Sequence, residues 1–170
     1  MEVSPAPVSY PLTLALGTNQ GDRAAQLAAA RRLIGERIGP LIAVSSVITT
    51  PPWGVADQPD YLNQVIVVRW TTTAAPAALG GALRGLLDLT QAIERELGRT
   101  PGRRWGPRTC DVDLVFVGPL RWEDERLSLP HPWWRQRAFV GGLIAAELPA
   151  DGAHPGFLRG EVNQGRANKL

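Results

Sequence analysis

Residues 103–114, RRWGPRTCDVDL, place three arginines and a tryptophan directly ahead of two aspartates. Asp111 and Asp113 are two residues apart, so a β-strand would send both carboxylates to the same face. Two such carboxylates repel each other unless a cation bridges them or one is protonated, and their hard oxygens suit Mg²⁺ when substrate phosphates complete the coordination. The alternative is an edge strand that shows both aspartates to water, and the pair alone favours neither interpretation.

The segment before these aspartates is rich in arginine, glycine and proline. Trp105 lies among its arginines, which are Arg99, Arg103, Arg104 and Arg108. This composition suits a loop that closes over an anionic ligand, although a solvated basic loop would have the same composition. Because the basic loop adjoins the aspartate pair, the two together resemble the two halves of a nucleotide triphosphate site.

A second unusual loop is TTPPWGVADQPDYLNQ, residues 49–64. A connection of this length inside a compact domain is usually functional or flexible. Trp53 and Tyr61 offer flat apolar surfaces, and the hydrogen-bonding side chains suited to a planar heterocycle are Asp57, Gln58, Asp60 and Asn63. The alternative is a packed loop that Tyr61 and Leu62 anchor to the core.

A third segment, LPHPWWRQRAFV (129–140), brings His131, Arg135, Arg137 and Phe139 near a predicted helix start. A lone histidine is more often structural than catalytic, so His131 supports only a phosphate-contact hypothesis. No G-x-x-x-x-G-K-[ST] loop is possible, since Lys169 is the only lysine, and no G-x-G-x-x-G follows the first predicted strand. A triphosphate would therefore be bound by arginines and metal.

The elements that would position these residues follow the order β-α-β-β-α-β. Hydrophobic periodicity predicts strands at 12–17, 41–50, 63–72 and 110–118, and helices at 21–39 and 75–98. That order predicts a ferredoxin-like α+β core. Residues 119–157 are predicted to add a short strand pair and a helix. We expect a tail at 1–9, a single domain at 10–157, and a frayed or disordered C-terminal tail at 158–170.

Composition narrows the class of protein. The single cysteine, Cys110, excludes an internal disulfide framework and suits a reducing cytoplasm, where we expect the protein. The chain shows neither a secretory leader pattern nor a run of 18 apolar residues, which predicts no membrane partner. An RNA-binding sheet would show aromatic residues on its central strands, but these have only Trp70, so we expect no nucleic-acid partner. A metal-dependent phosphoesterase remains an alternative, although it would not require the loop at 49–64.

Five motifs, in order, resemble those of the hydroxymethyl-dihydropterin pyrophosphokinase (HPPK) family. They are LALGTNQGDR, TTPPWGVADQPDYLN, IERELGR, RWGPRTCDVDL and LPHPWWRQRAFV, and the resemblance spans about residues 12–157. It implies a ferredoxin-like core and magnesium-dependent transfer of pyrophosphate from ATP to the hydroxymethyl group of the pterin, with release of AMP, in folate biosynthesis. It also implies small-molecule substrates only, and we expect a monomer.

The resemblance also assigns roles to individual residues. It places two Mg²⁺ ions on Asp111 and Asp113, which act in catalysis together with Arg99 and Arg108. It places the pterin between Tyr61 and Phe139, with its edge read by Thr50, Pro51, Trp53 and Asn63. The residues implied to contact ATP or to close over it are Gln91, Arg99, Trp105, Arg108, Arg126, His131 and Arg137. Glu94 is carried over more weakly, and Pro101 and Trp133 depart from the family pattern, in which arginine is common at both places.

Overall fold

A computed structural model of the chain describes residues 3–52, 57–98, 110–134 and 136–147. Three helices lie in these ranges, α1 (Arg23–Arg37), α2 (Leu79–Leu97) and α3 (Ala138–Glu147), and a short 3-10 helix (Pro76–Ala78) leads into α2. The strands are β1 (Val8–Thr18), β2 (Leu41–Val44), β3 (Ile48–Thr50), β4 (Tyr61–Thr72), β5 (Asp111–Val117), β6 (Trp122–Glu123) and β7 (Ser128–Leu129).

The main sheet has the strand order β2-β4-β1-β5, with β3 also paired to β4. Every pairing in it is antiparallel. The short β6–β7 hairpin forms a separate sheet. The predicted mixed α+β class is therefore confirmed, as are the predicted strand pair and helix after residue 119.

The two faces of the sheet are covered by different helices. Leu12, Leu14 and Leu16 of β1 belong to the larger core, which includes Leu27 of α1 and Leu83 of α2. Alternate residues of the same strands point the other way. There they form a smaller core that includes Val140 and Leu143 of α3, and its strand and loop members are Ala15, Val65, Val67, Val115, Phe116 and Trp134.

The largest differences from the predicted strands are at β1 and at residues 41–50. Strand β1 begins at Val8 rather than Leu12, so residues 8 and 9 of the predicted tail belong to the sheet. The predicted strand at 41–50 is two strands. They separate at Ser45, where the hydroxyl accepts a hydrogen bond from Val65 N (2.9 Å) and the carbonyl accepts one from Gln64 Nε2 (2.7 Å).

Two other predictions concern the C-terminal tail and membrane-spanning helices. The predicted tail at 158–170 lies outside the described residues. Of the helices in the described ranges, none combines the length and the apolar character that crossing a membrane would require.

Candidate active site

The two aspartates lie on β5, on the sheet face that α3 covers. Val112 and Leu114 are buried in the larger core, whereas Asp111 and Asp113 are partly exposed on the opposite face, as their spacing predicts. The register between β1 and β5 shifts after Leu114, which leaves Val115 as an extra residue in the strand. Such a bulge changes the facing of the residues beyond it and is common beside active sites. The predicted shared face of the carboxylates is therefore present in the structure.

Strand β1 connects this pair to β4 across the middle of the sheet. Gly17 pairs with Asn63 on one side and with Asp111 on the other, and Ala15 pairs in the same way with Val65 and Asp113. Neighbouring strands are about 4.8 Å apart, so Asn63 and Asp111 are about 10 Å apart on one face. Because Gly17 has no side chain and is partly exposed, it forms a shallow floor between Asn63 and Asp111, whereas Ala15 is buried in the smaller core.

Asn63, Thr50 and Tyr61 form one end of this floor. Thr50 pairs with Tyr61 at the end of the β3–β4 ladder, and Asn63 Nδ2 donates to Thr50 Oγ1 at 2.7 Å. A Cβ added to Gly17 would lie 3.3 Å from Asn63 Oδ1. The structure thus brings together three residues predicted for the pterin, and an amide, a hydroxyl and an aromatic ring are groups that can bind a planar heterocycle.

The loop that precedes β4 is held against the start of α1. Arg23 Nη1 donates to the carbonyl of Asp60 at 2.6 Å, and Asn19 Nδ2 approaches Gln58 Oε1 at 3.4 Å. The side chain of Gln58 is thus engaged by the protein itself in this structure. The contact favours a positioning role for this end of the loop over direct contact with a ligand.

Arg137 connects the start of α3 to the carboxylates. Its Nη1 donates to Asp113 Oδ2 at 2.8 Å, and both side chains are partly exposed. No local pattern predicts this ion pair, since the two residues are 24 positions apart. The contact places a predicted ATP ligand directly at the predicted metal site.

His131 lies beside the same carboxylate and is attached to β5. Its backbone N–H donates to the carbonyl of Val115 at 2.9 Å, and its Nδ1 accepts from the backbone N–H of Trp133 at 3.1 Å. Burial lowers the pKa of His131, while Asp113 raises it and Arg137 lowers it further. Because Nδ1 is an acceptor, the neutral ring carries its proton on Nε2 and is a hydrogen-bond donor there.

Glu94 of α2 holds the strand between the two aspartates. Its Oε1 accepts from the backbone N–H of Val112 at 2.8 Å. Among the described residues β5 is the last strand of the sheet, so this contact satisfies a backbone donor on its outer edge. Cys110 next to it is buried, and burial, with the charges of Asp111 and Glu94, raises its thiol pKa to about 12. Such a thiol remains protonated and is a poor metal ligand or nucleophile.

Arg126 and Gln91, both predicted to contact ATP, lie next to each other. Arg126 Nη2 donates to Asp88 Oδ1 at 2.7 Å and approaches Gln91 Oε1 at 3.5 Å. Arg126 is positioned by the β6–β7 turn, where Asp124 Oδ1 accepts from the backbone N–H groups of Arg126 and Leu127. Asp124 also accepts from Trp122 Nε1, and these hydrogen bonds lower its pKa.

Several predicted residues fall on segments outside the described ranges. Trp53, Arg99, Trp105 and Arg108, together with Arg103, Arg104 and Arg135, lie outside the described residues. For Phe139 the structure describes the backbone, which is in α3, but not the side chain. Pro51 lies just after β3, next to Thr50.

The carboxylate pair fits a magnesium site that substrate oxygens complete. In the described part of the chain, no group of three or more His, Cys, Asp or Glu side chains could hold a metal ion. Two carboxylates on a common face are nevertheless the usual protein contribution to Mg²⁺, which keeps waters and takes phosphate oxygens for its remaining positions. Asp113 pairs with the cationic side chain of Arg137, so positive charge is accommodated next to this carboxylate.

The sequence patterns did not identify Gly17 as part of the site. Its position at the end of LTLALG was the available signal, but its importance depends on the register with β4 and β5. Local sequence does not encode that register.

Comparison with known proteins adds independent information. Residues 13–146 match the family described as 7,8-dihydro-6-hydroxymethylpterin-pyrophosphokinase (HPPK). A protein of Methylorubrum extorquens named 2-amino-4-hydroxy-6-hydroxymethyldihydropteridine pyrophosphokinase is 41% identical over 137 residues, which are 80% of this chain and 81% of the relative. A Bacillus subtilis protein of the same name is 40% identical over 133 residues, covering 78% of this chain and 74% of the relative.

Solved structures show a similar fold. Wild-type HPPK-DHPS of Plasmodium falciparum superposes with a TM-score of 0.61 and 12% identity, over 94% of this chain and 45% of the longer protein. Another crystal structure, of the wild type with pteroate, gives a TM-score of 0.55 and covers 86% of this chain and 40% of that one. At such low identity these likenesses bear on the fold alone.

Proposed function

Because the chain belongs to the HPPK family, enzymes that transfer a pyrophosphoryl group to hydroxymethyldihydropterin in folate synthesis, we propose that ATP is the donor, that Mg²⁺ is required, and that AMP is released. The oxygen of the pterin hydroxymethyl group attacks the β-phosphorus of ATP. The bond between that phosphorus and the oxygen bridging to the α-phosphate breaks, and AMP leaves with that oxygen.

One observation carries this proposal, the floor that Gly17 forms between Asn63 and Asp111. A heterocycle held at Asn63, Thr50 and Tyr61 projects its substituent along this floor toward Asp111. The distance of about 10 Å accommodates a bicyclic ring with its hydroxymethyl arm. The site can therefore hold the acceptor and a metal-bound phosphate side by side, which is the main requirement for phosphoryl-type transfer.

The proposed role of each residue follows from the chemistry of its side chain. Asp111 and Asp113 would hold two Mg²⁺ ions, which when bound neutralise charge on the transferring phosphates. His131 would donate from Nε2–H to a phosphate oxygen, since its Nδ1 is already engaged by Trp133. Gln91 and Arg126, which lie together, would bind the nucleotide. Arg137, next to Asp113, would bind its phosphates.

Other assignments rest on the family motifs. We propose that Arg99, Trp105 and Arg108 close over ATP, with Arg99 and Arg108 neutralising charge at the reacting phosphates, and that Trp53, Pro51 and Phe139 complete the pterin pocket. A ferredoxin-like core is supported by the antiparallel order β2-β4-β1-β5 with α1 and α2 packed on one face. The monomeric state, the cytoplasmic location and the absence of nucleic-acid partners stay predictions.

The test is a product assay with purified protein, Mg²⁺, ATP and 6-hydroxymethyl-7,8-dihydropterin. We expect AMP to form only when the pterin is present, and chelation of Mg²⁺ to stop the reaction. Release of ADP would indicate an ordinary kinase, and pterin-independent release of phosphate would favour the phosphoesterase alternative. Either result would refute the proposal.

A substitution tests the metal ligands separately from folding. Asp113→Ala should lose most of the activity and keep the circular dichroism spectrum of the wild type. The control Glu36→Gln removes a carboxylate that pairs with Arg32 on the exposed side of α1, and it should leave turnover unchanged. Retained turnover in Asp113→Ala would remove the metal role from this residue.

A further inference from the structure

The contact between Arg137 and Asp113 has an implication beyond binding of phosphate. Arg137 is anchored at the start of α3, because its backbone N–H donates to the carbonyl of Trp133 at 3.0 Å and its carbonyl accepts from Val140 N at 2.9 Å. Its partly exposed guanidinium reaches the carboxylate of Asp113 at 2.8 Å. A fixed backbone with a long, partly exposed side chain is suited to exchange between two nearby partners.

The charges at the site define what those partners are. Asp111 and Asp113 project from the same face, and like charges at this spacing repel unless a cation is present. In this structure the cation at Asp113 is the guanidinium. With Arg137 44% and Asp113 33% exposed, the pair is accessible to water and is of the weak, exchangeable kind.

We propose that Arg137 is the counter-cation of Asp113 in the substrate-free enzyme and moves to the polyphosphate when metal and nucleotide arrive together. The inference rests on the proposed function, because it requires a divalent metal at the carboxylates. A bare metal ion has to compete with the guanidinium for Asp113 and leaves Arg137 facing a second cation. A metal ion that arrives with phosphates supplies Arg137 with a new anionic partner, so the exchange favours the metal–polyphosphate complex over free metal.

The rival interpretation is that Arg137 orients Asp113 permanently. In that case the ion pair would persist with metal bound, and removing Arg137 would weaken the binding of bare metal. The exchange predicts the opposite result. Removing the guanidinium, which competes with the metal for Asp113, strengthens the binding of bare metal. The direction of one binding change therefore distinguishes the two.

The experiment measures Mn²⁺ binding at low ionic strength through the electron paramagnetic resonance signal of free Mn²⁺, with and without ATP and without pterin, so no turnover is needed. Arg137→Gln should bind bare Mn²⁺ about two- to fivefold more tightly than the wild type, the range expected for loss of an exposed ion pair. In the presence of ATP the same variant should bind Mn²⁺ less tightly than the wild type. Arg137→Lys, which keeps the charge, should stay close to the wild type without ATP.

The matched control is Arg32→Gln, which removes one positive charge from an exposed Arg–Glu pair on α1. Equal shifts in Arg137→Gln and Arg32→Gln would overturn the exchange, because a change in overall charge would explain both. Weaker binding of bare Mn²⁺ by Arg137→Gln would also overturn it. If the wild type binds no Mn²⁺ even with ATP, the metal site itself fails, and the proposed function fails with it.

Discussion

Replacing Glu94 by leucine removes the acceptor that holds the backbone of β5 between the two aspartates. Glu94 Oε1 accepts from Val112 N at 2.8 Å, and Val112 is only 3% exposed. A hydrogen bond to a charged group contributes about 1.5–3 kcal/mol, and an unsatisfied buried donor costs about 1–3 kcal/mol. Since Glu94 itself is partly exposed, we expect Glu94→Leu to lower the free energy of unfolding by about 1–2 kcal/mol.

Glu94→Gln tests whether the charge or the acceptor matters. Glutamine retains a side-chain oxygen that can accept from Val112 N, so we expect a loss of about 0.5–1 kcal/mol from the weaker neutral hydrogen bond. For a domain of this size 1 kcal/mol corresponds to a change in Tm of about 2–4 °C. Thermal unfolding followed by circular dichroism should therefore give shifts of about 2–8 °C for the leucine variant and about 1–4 °C for the glutamine variant.

The same substitution should affect turnover beyond its effect on stability. Val112 lies between Asp111 and Asp113, so relaxation of its backbone displaces both carboxylates. A displacement of about 1 Å at a catalytic group can cost about a hundredfold in rate. We expect kcat of Glu94→Leu, measured at least 15 °C below its Tm (a margin of about twice the largest expected shift), to fall by about tenfold or more.

Glu96→Leu is the matched control. Glu96 lies two residues later on α2, where it forms an ion pair with Arg37 of α1 at 2.5 Å. Such exposed pairs contribute about 0.2–1 kcal/mol, and this one joins α2 to α1 rather than to β5. Equal Tm and kcat values for Glu94→Leu and Glu96→Leu would refute the positioning role of Glu94, as would a Glu94→Gln variant that is as damaged as Glu94→Leu.

Three further substitutions or probes test other parts of the structure. Gly39→Ala should destabilise the protein by about 2 kcal/mol or more in urea unfolding, because the added Cβ would overlap the carbonyl oxygen of Arg69. Its control is Gly85→Ala, which has open space around the added Cβ and should be neutral or stabilising by up to about 1 kcal/mol. Cys110, with its pKa raised to about 12, should stay protonated and resist a thiol-reactive dye up to about pH 10 until the protein unfolds; rapid labelling of native protein would contradict its burial. His131→Gln, which can place a donor near the Nε2 position, should raise KM for ATP less than His131→Asn does, and equal effects would argue against donation from Nε2.

The extent to which the sequence predicted the site differs from one residue to another. The common face of Asp111 and Asp113 follows from a local period of two, and it could be predicted without knowledge of any partner strand. The adjacency of Gly17, Asn63 and Asp111 could not be predicted, because it depends on the register of three strands that are far apart in the chain. The Ser45 break in the predicted strand at 41–50 was missed for a similar reason, since its hydrogen-bond partners lie on β4.

The register of β1 against its neighbouring strands affects function, because strand order alone does not determine which residues share a face. A slip of one residue against β4 would move Asn63 from Gly17 to a neighbouring position whose side chain points to the α1–α2 core, and the amide would no longer share a floor with the aspartates. That register is stabilised by the alternation of Leu12, Leu14 and Leu16 into the larger core. The leucines on one face of β1 therefore determine which residues meet on the other, and the distance from amide to carboxylate depends on the packing beneath the sheet.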